Sequence, residues 1–243
     1  MTFDLRHGRW QDVLADVECD ALVCDPPYSQ RTEDGFRTSA DLLRRGLGYA
    51  PITEDWCEEF VRSWHPRVRS WIVVFGDHIS IRWLERCLSD TGRYVFQPMP
   101  IVKIGAAPRL QNDGPASQSE WFIVARPRER RFMSWGSLPG WYAMQTVRHG
   151  HGSVGVSGAK SLDLMRSIVR DYSRPGDLVC DPCAGGGTTL LAAAWEGRRS
   201  IGAEVDLATW RVAQDRIQKS AVPVRPLFQR APAEQLSLLG EER

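Results

Sequence analysis

Leu178-Val179-Cys180-Asp181-Pro182-Cys183-Ala184-Gly185-Gly186-Gly187-Thr188-Thr189 is an apolar run that stops at an acid and opens into glycine. The run is too short for a helix and reads as a buried strand. Three consecutive glycines let the next turn approach a neighbour closely, and residues 188–196 then have helical composition. Residues 200–203 form a second apolar run, which ends at Glu204. Strand, glycine turn, helix, strand and acid, in that order, describe a parallel βαβ unit. The fold class is therefore α/β, with helices on both faces of a mostly parallel sheet.

Working outward, residues 206–220 read as a further helix, and from Val222 the chain is broken by prolines and reads as a tail. Upstream, Pro175-Gly176-Asp177 is a turn. Before it, residues 161–172 carry Leu162, Met165, Ile168 and Val169 at helical spacing. The N-terminal half repeats the logic. After a short turn and a helical piece at 10–17, the apolar strand 21–24 opens into Asp25-Pro26-Pro27-Tyr28. Residues 29–51, with Arg31, Arg37, Arg44 and Arg45, are polar and read as a loop. Thr53 or Asp55 starts a helix that runs through Val68, with Trp56, Phe60, Val61 and Trp64 on one face. Residues 70–75 form a buried strand, Gly76-Asp77-His78 a loop, 79–89 a helix and 93–97 a strand, with His78 read as a core or pocket-wall histidine.

Between residues 98 and 158 the pattern changes, with dense proline and glycine and one clear strand at 120–125. From Met99 to Gly150 there are seven Lys or Arg against three acids, in a chain whose net charge is only +1. This stretch reads as a small inserted module, with Arg126, Arg128, Arg130 and Arg131 as its candidate contacts to a polyanion. The expected division is thus 1–97, 98–158, 159–221 and a tail at 222–243. Hydrophobic residues make up 42% of the 243, enough for a sizeable core. The polar start is no signal peptide, no stretch reaches the length of a membrane span, and the six scattered cysteines suit reduced core thiols. A cytoplasmic location follows from these features. Cys180 and Cys183 lack the further ligands of a zinc site, so no metal is expected.

Chemistry in open parallel sheets collects at the carboxyl ends of the strands, where both loops lie. The glycine turn feeding a helix, with an acid 17 residues after Gly187, suits a nucleoside cofactor whose ribose the acid can grip. The turn lacks the spaced glycines of a dinucleotide site and the Gly-Lys-Ser/Thr of a phosphate loop. A nucleoside without phosphates, S-adenosylmethionine, fits better. Asp25-Pro26-Pro27-Tyr28 supplies an acid, a stiff proline pair and an aromatic ring.

Asp25 to Tyr28 near the N-terminus, with 175–189 and Gly197 to Asp206 downstream, resembles the amino-group DNA methyltransferases of the β subclass. In that family the catalytic motif precedes the cofactor motif, with a target-recognition segment between. The resemblance implies a Rossmann-like, S-adenosylmethionine-dependent fold. It implies that Asp181, Pro182, Ala184, Gly185, Gly187 and Thr188 form the cofactor loop, that Glu204 takes the ribose, and that Lys160 and Ser161 lie by its methionine end. Catalysis falls to Asp25, Pro26, Pro27 and Tyr28. The Asp25 carboxylate and the Pro26 carbonyl would accept hydrogen bonds from a base's exocyclic amine, and Tyr28 would stack on the flipped base. An Asp at the first motif position favours adenine N6, since cytosine-N4 members mostly carry Ser there. Cytosine N4 and a DNA-binding module without catalysis are the alternatives. One departure is His7-Gly8-Arg9-Trp10, where the family often has Gly-Asp; Asp12 or a stacking Trp10 would have to substitute. Gln235-Leu236-Ser237-Leu238-Leu239 in the tail resembles the bacterial sliding-clamp-binding peptide. The expected partners are DNA, that clamp and a second copy of the chain.

Overall fold

The structure, a computed structural model, describes residues 3–29, 50–105, 114–116, 118–145 and 160–220. Among the described residues nine strands form one sheet: β1 (Phe3–His7), β2 (Ala21–Cys24), β3 (Ile72–Gly76), β4 (Tyr94–Val95), β5 (Met99–Ile104), β6 (Ser119–Arg126), β7 (Tyr142–Gln145), β8 (Leu178–Asp181) and β9 (Arg199–Glu204). Their order is β1-β9-β8-β2-β3-β6-β5-β7, with β4 on β6. The first five in that order are mutually parallel, while β6 runs antiparallel to β3 and β5. The helices are α1 (Trp10–Val13), α2 (Glu54–Trp64), α3 (Ser80–Ser89), α4 (Leu162–Tyr172), α5 (Thr188–Trp195) and α6 (Leu207–Ser220).

Successive strand residues point to opposite faces, and the core divides accordingly. Leu22, Cys24, Ile72, Val74, Ile123 and Ala125 pack with α1, α2 and α3 on one face. Val23, Val73, Phe75, Phe122 and Val124 pack with α4 and α5 on the other, and α6 joins that layer over β1. This is a Rossmann-like fold, as the sequence implies. Among the described residues no helix is long and apolar enough to cross a membrane.

The elements that place the site follow the sequence reading closely, and the departures have local causes. Thr53 rather than Asp55 caps α2, its hydroxyl accepting from Trp56 N at 3.2 Å. That helix stops at Trp64, not Val68: His65 still has helical backbone and donates to Val61 O, but Pro66 has no N–H to continue the ladder. The helix at 10–17 is a single turn. The Arg67 guanidinium collects the carbonyls of Leu14, Ala15 and Val17 in place of further helical bonds. Phe3–His7, read as a turn, is an edge strand with one fully buried side chain, Leu5. Residues 99–104 and 142–145 are also strands, so the described parts of 98–158 extend the main sheet. Pro100 inside β5 and the shortness of β7 hide both from a periodicity reading.

β8 leads to β9 in one direction across the sheet, while its other neighbour β2 leads to β3 in the opposite direction. The order therefore reverses between β8 and β2, which pair at Leu22 and Cys180. A crevice opens at such a point, beyond the strand ends. It lies between the Asp25 and Asp181 loops.

Gly187 makes the turn into α5. It has a left-handed φ of +74°, and a Cβ there would lie 2.7 Å from Ile217 Cδ1 of α6. Gly187→Ala should cost roughly 2 kcal/mol through strain and overpacking together. Urea unfolding of the two proteins checks this, and equal midpoints would refute it.

Candidate active site

Four acids stand at the carboxyl ends of the parallel strands: Asp25 after β2, Asp77 after β3, Asp181 closing β8 and Glu204 closing β9. β6 runs the other way, so its first residues reach the same edge, where Gly76 pairs with Trp121. Glu120 therefore joins the acids. Lys103, near the end of β5, and Lys160, just before α4, join them as bases.

The catalytic loop is held at both ends. Cys24 is locked in the sheet opposite Val74. At the far end Ser29 donates from N at 2.8 Å and from Oγ at 2.5 Å to Asp77 Oδ2. The other oxygen of Asp77 accepts from Ile79 N, Ser80 N and Ser80 Oγ, so one buried carboxylate both starts α3 and anchors the loop. Sequence reasoning passed over Asp77 in favour of His78, which is exposed and not in the core. Beside Ser29 a largely apolar groove of about 690 Å³ is lined by Ala50, Pro51, Ile52, Ile79 and Trp83.

Between those anchors lies a buried charge cluster. Lys160 Nζ donates to Asp25 Oδ2 at 2.7 Å and to Tyr28 Oη at 2.9 Å, and lies 3.1 Å from Glu120 Oε2. Glu120 Oε1 lies 2.5 Å from Lys103 Nζ. The ammonium of Lys160 also sits 5.2 Å and 5.3 Å from the rings of Tyr28 and Phe75. Burial works against the charge on Lys160, but Asp25, Tyr28 and Glu120 outweigh it and raise its pKa well above the ordinary value. Burial likewise opposes ionisation of Glu120, yet Lys160 and Lys103 bring its carboxyl down to about 2. For Asp25 burial prevails over Lys160, and its pKa is raised. Its Oδ1 is buried with no hydrogen-bond partner among the described residues.

The second loop folds back on its strands. Ala184 N donates to Ala203 O, Cys183 N to Asp181 Oδ1, and Gly185 N to Glu204 Oε2 at 2.9 Å. The other Glu204 oxygen accepts from Asp206 N at 2.7 Å. Glu204 thus lines the turn with both carboxylate oxygens, and a Cβ at Gly185 would meet nothing within 4 Å among the described residues. Space and acceptors therefore coincide there. Burial pushes Asp181 up to about 7, against the bonds from Thr189 and Cys183.

Asp25, Pro26, Pro27 and Tyr28 thus follow a strand adjacent to the one that leads into Asp181, Pro182, Ala184, Gly185 and Gly187, and Glu204 ends the next. Other expected contacts are committed elsewhere. Ser161 Oγ caps α4, accepting from Leu164 N, and Thr188 Oγ1 accepts from Arg216 Nη1 at 2.8 Å. Trp10 is core, edge-on to Phe60 at 5.7 Å, and does not stack at the site; Asp12 is exposed. Arg126 closes β6 at its opposite end, with Arg128, Arg130 and Arg131 beyond it, roughly 20 Å from the acids at about 3.4 Å per strand residue. There Arg126 stacks 4.8 Å from Tyr94, Arg128 donates to Gly92 O, and Arg131 donates to Arg69 O. That edge is remote from the crevice, which the charge count could not foresee. The Gln235 to Leu239 peptide lies outside the described residues.

The model of a DNA methylase family, the N6/N4 methyltransferases, matches residues 19–215, spanning both loops. The chain belongs to that family. Among curated relatives of this methylase, the Type II methyltransferase M.XycI of Xanthomonas campestris pv. cyanopsidis is 26% identical over 161 residues. The match covers 58% of this chain and 51% of that protein, so the chain spans about half the length of that relative. Among solved structures, the complex of M1.HpyAVI with S-adenosylmethionine has a TM-score of 0.65 at 21% identity, covering 89% of this chain and 99% of the other. The cytosine-N4-specific PvuII DNA methyltransferase reaches the same 0.65 at 13% identity, covering 98% and 91%. At these identities the likeness establishes the fold.

Asp181 sets a pH dependence on the methylase. Its folded-state pKa lies above its ordinary one, so the fold holds the proton more tightly than the unfolded chain does. Stability contributed by that proton is lost as pH rises from 3.8 to about 7. Melting temperature measured across that window should therefore fall less steeply with rising pH in Asp181→Asn than in the wild type. Parallel curves would show that Asp181 titrates normally.

Proposed function

We propose that this methylase transfers a methyl group from S-adenosylmethionine to the exocyclic amine of a DNA base, adenine N6 in first place. The observation that carries the reading is the juxtaposition at the sheet's switch point. A rigid loop presents an unpartnered acceptor, Asp25 Oδ1, beside a glycine loop that offers space and acidic acceptors.

The residues of the second loop fit the cofactor. Glu204 offers acceptors suited to a ribose diol, and the opening at Gly185 leaves room for a ligand against the backbone. The acids Asp25, Asp181 and Glu204 suit a ligand that carries a sulfonium and an ammonium charge. When bound, S-adenosylmethionine supplies an electrophilic methyl on sulfur.

What this chain must supply is a better nucleophile. The amine lone pair of adenine or cytosine is delocalised into the ring. Hydrogen bonds from its N–H groups to Asp25 Oδ1 and the Pro26 carbonyl draw the nitrogen towards tetrahedral geometry and free that lone pair. Lys160 favours the ionised form of Asp25 against the burial that raises its pKa, and the Ser29–Asp77 anchor fixes the loop. Pre-set geometry of this kind reduces the ordering cost of reaction. Tyr28 provides a ring beside the base, which must leave a duplex to reach it. The acid at position 25, in place of the serine frequent in cytosine-N4 members, favours adenine. Cytosine N4 is the second reading, because the fold is equally similar to a cytosine-N4 enzyme.

Incubating the protein with labelled S-adenosylmethionine and unmethylated DNA, then analysing nucleosides, should yield N6-methyladenine, with Asp25→Ala reduced roughly a hundredfold or more. N4-methylcytosine would move the assignment to the second reading. Absence of transfer to single- or double-stranded DNA would refute both. Glu204→Ala should weaken cofactor binding at least roughly tenfold through loss of a charged acceptor. A thermal shift by S-adenosylmethionine equal to that of the wild type would remove Glu204 from the cofactor site.

A further inference from the structure

The most unusual feature left unused by this reading is that Asp25 does not meet Lys160 alone. Glu120 lies 3.1 Å from the same ammonium, and Lys103 pairs with Glu120 in turn. The side chains are 23% (Asp25), 6% (Lys160), 14% (Glu120) and 16% (Lys103) exposed, so the cluster is largely withdrawn from water. It contains two carboxylates and two ammonium groups. Removing any one leaves a buried charge without its counterpart.

Geometry assigns each member a task. Lys160 occupies Asp25 Oδ2 and leaves Oδ1 without a partner. A buried ammonium with a single carboxylate near it gains by closing on both oxygens of that carboxylate. Here its remaining contacts are Tyr28 Oη at 2.9 Å and Glu120 Oε2 at 3.1 Å. Glu120 Oε1 is paired with Lys103, and its Oε2 meets Lys160 as an ion pair without a hydrogen bond of its own among the described residues. Lysine suits both places: its compact ammonium can serve three separate acceptors, whereas a planar guanidinium cannot. The chain has 31 basic residues and only three are lysine, Lys103, Lys160 and Lys219, two of which converge here.

We propose that Glu120, clamped by Lys103, is a positioning residue for methyl transfer: it holds Lys160 to one oxygen of Asp25, so that the other stays free for the amine of the target base. The proposal rests on Asp25 being the acceptor of that amine. Glu120 touches neither base nor cofactor in this role and acts only through Lys160.

The groups that act on Asp25 are Lys160, Tyr28, Glu120, Lys103, Asp181 and Cys24. The negative charge of Glu120 favours the protonated form of Asp25, and the positive charge of Lys103 favours the ionised form. The two members of the clamp therefore move the acidic limb of the rate profile in opposite directions. The sign is fixed. An acceptor that must be ionised loses activity as pH falls, so Glu120→Gln moves that limb to lower pH and Lys103→Met moves it to higher pH.

The test is the single-turnover rate of methyl transfer against pH, at saturating S-adenosylmethionine and DNA, for wild type, Glu120→Gln, Lys103→Met and Asp25→Ala. Glu120→Gln should bind cofactor and DNA within about twofold of wild type. Its transfer rate should fall roughly ten- to a hundredfold through misplacement of the acceptor, with the two limbs displaced as stated. None of the clamp variants alters Asp181, so a displacement between them reads the surroundings of Asp25. Limbs that stay in place, or that move the same way in both variants, overturn the proposal. So does a loss of rate in Glu120→Gln matched by an equal loss of cofactor binding. If Glu120→Gln fails to fold, an unmoved limb in Lys103→Met, at a partly exposed strand end, overturns it alone. Asp25→Ala separates the two levels: activity in that variant refutes the role of Asp25 itself. An inactive Asp25→Ala beside an unaltered Glu120→Gln refutes only the clamp.

Discussion

Parallel strands cannot be joined by hairpins, so each step across the parallel part of this sheet requires a crossover, and helices on both faces leave polar groups only the strand ends. The pairing of β8 with β2 is where that constraint becomes a site. Because the chain leaves these two neighbours in opposite directions, the loops after Cys24 and Asp181 diverge and open a crevice. The rest of the arrangement, from the Gly187 turn to the Ser29–Asp77 anchor, maintains the walls of that crevice.

Burial at the crevice has two opposite electrostatic outcomes. Glu120 has two ammonium neighbours and is held strongly ionised, while Asp181 has hydrogen bonds but no adjacent cation and is pushed towards neutrality. Asp25 lies between, with one shared cation. Three carboxyls at one strand edge thus differ in proton affinity according to how many positive charges the fold brings to each. Local sequence does not separate them. A lone acid beside an apolar run looks the same at 25, 120 and 181.

The antiparallel strand β6 explains most of what moved between sequence and structure. Its direction carries Glu120 to the chemical edge and carries Arg126 and the arginines beyond it to the opposite one. The same charge count, read along the chain, points to the arginines as the functional group of that segment. In three dimensions Arg126, Arg128 and Arg131 lie on aromatic rings and carbonyls of Tyr94, Phe132, Gly92 and Arg69. Net charge in a segment says nothing about which end of a strand faces the ligand.

Legible from sequence alone were the α/β class, the two loops and the acid that ends β9, because each rests on a local pattern: apolar runs, a glycine turn, a stiff Asp-Pro-Pro. The apolar faces of α2 and α4 belong to the same kind, since helix periodicity is set within a few residues. The strands β1, β5 and β7 were not legible, being short, interrupted by proline or buried on only one side. Nor were Asp77, Glu120 and Lys103. Their roles depend on partners 48, 40 and 17 residues away, Ser29, Lys160 and Glu120. Only tertiary structure decides which charges share a buried space, because the cost of burying one is set by the company it keeps there and not by its neighbours in the chain.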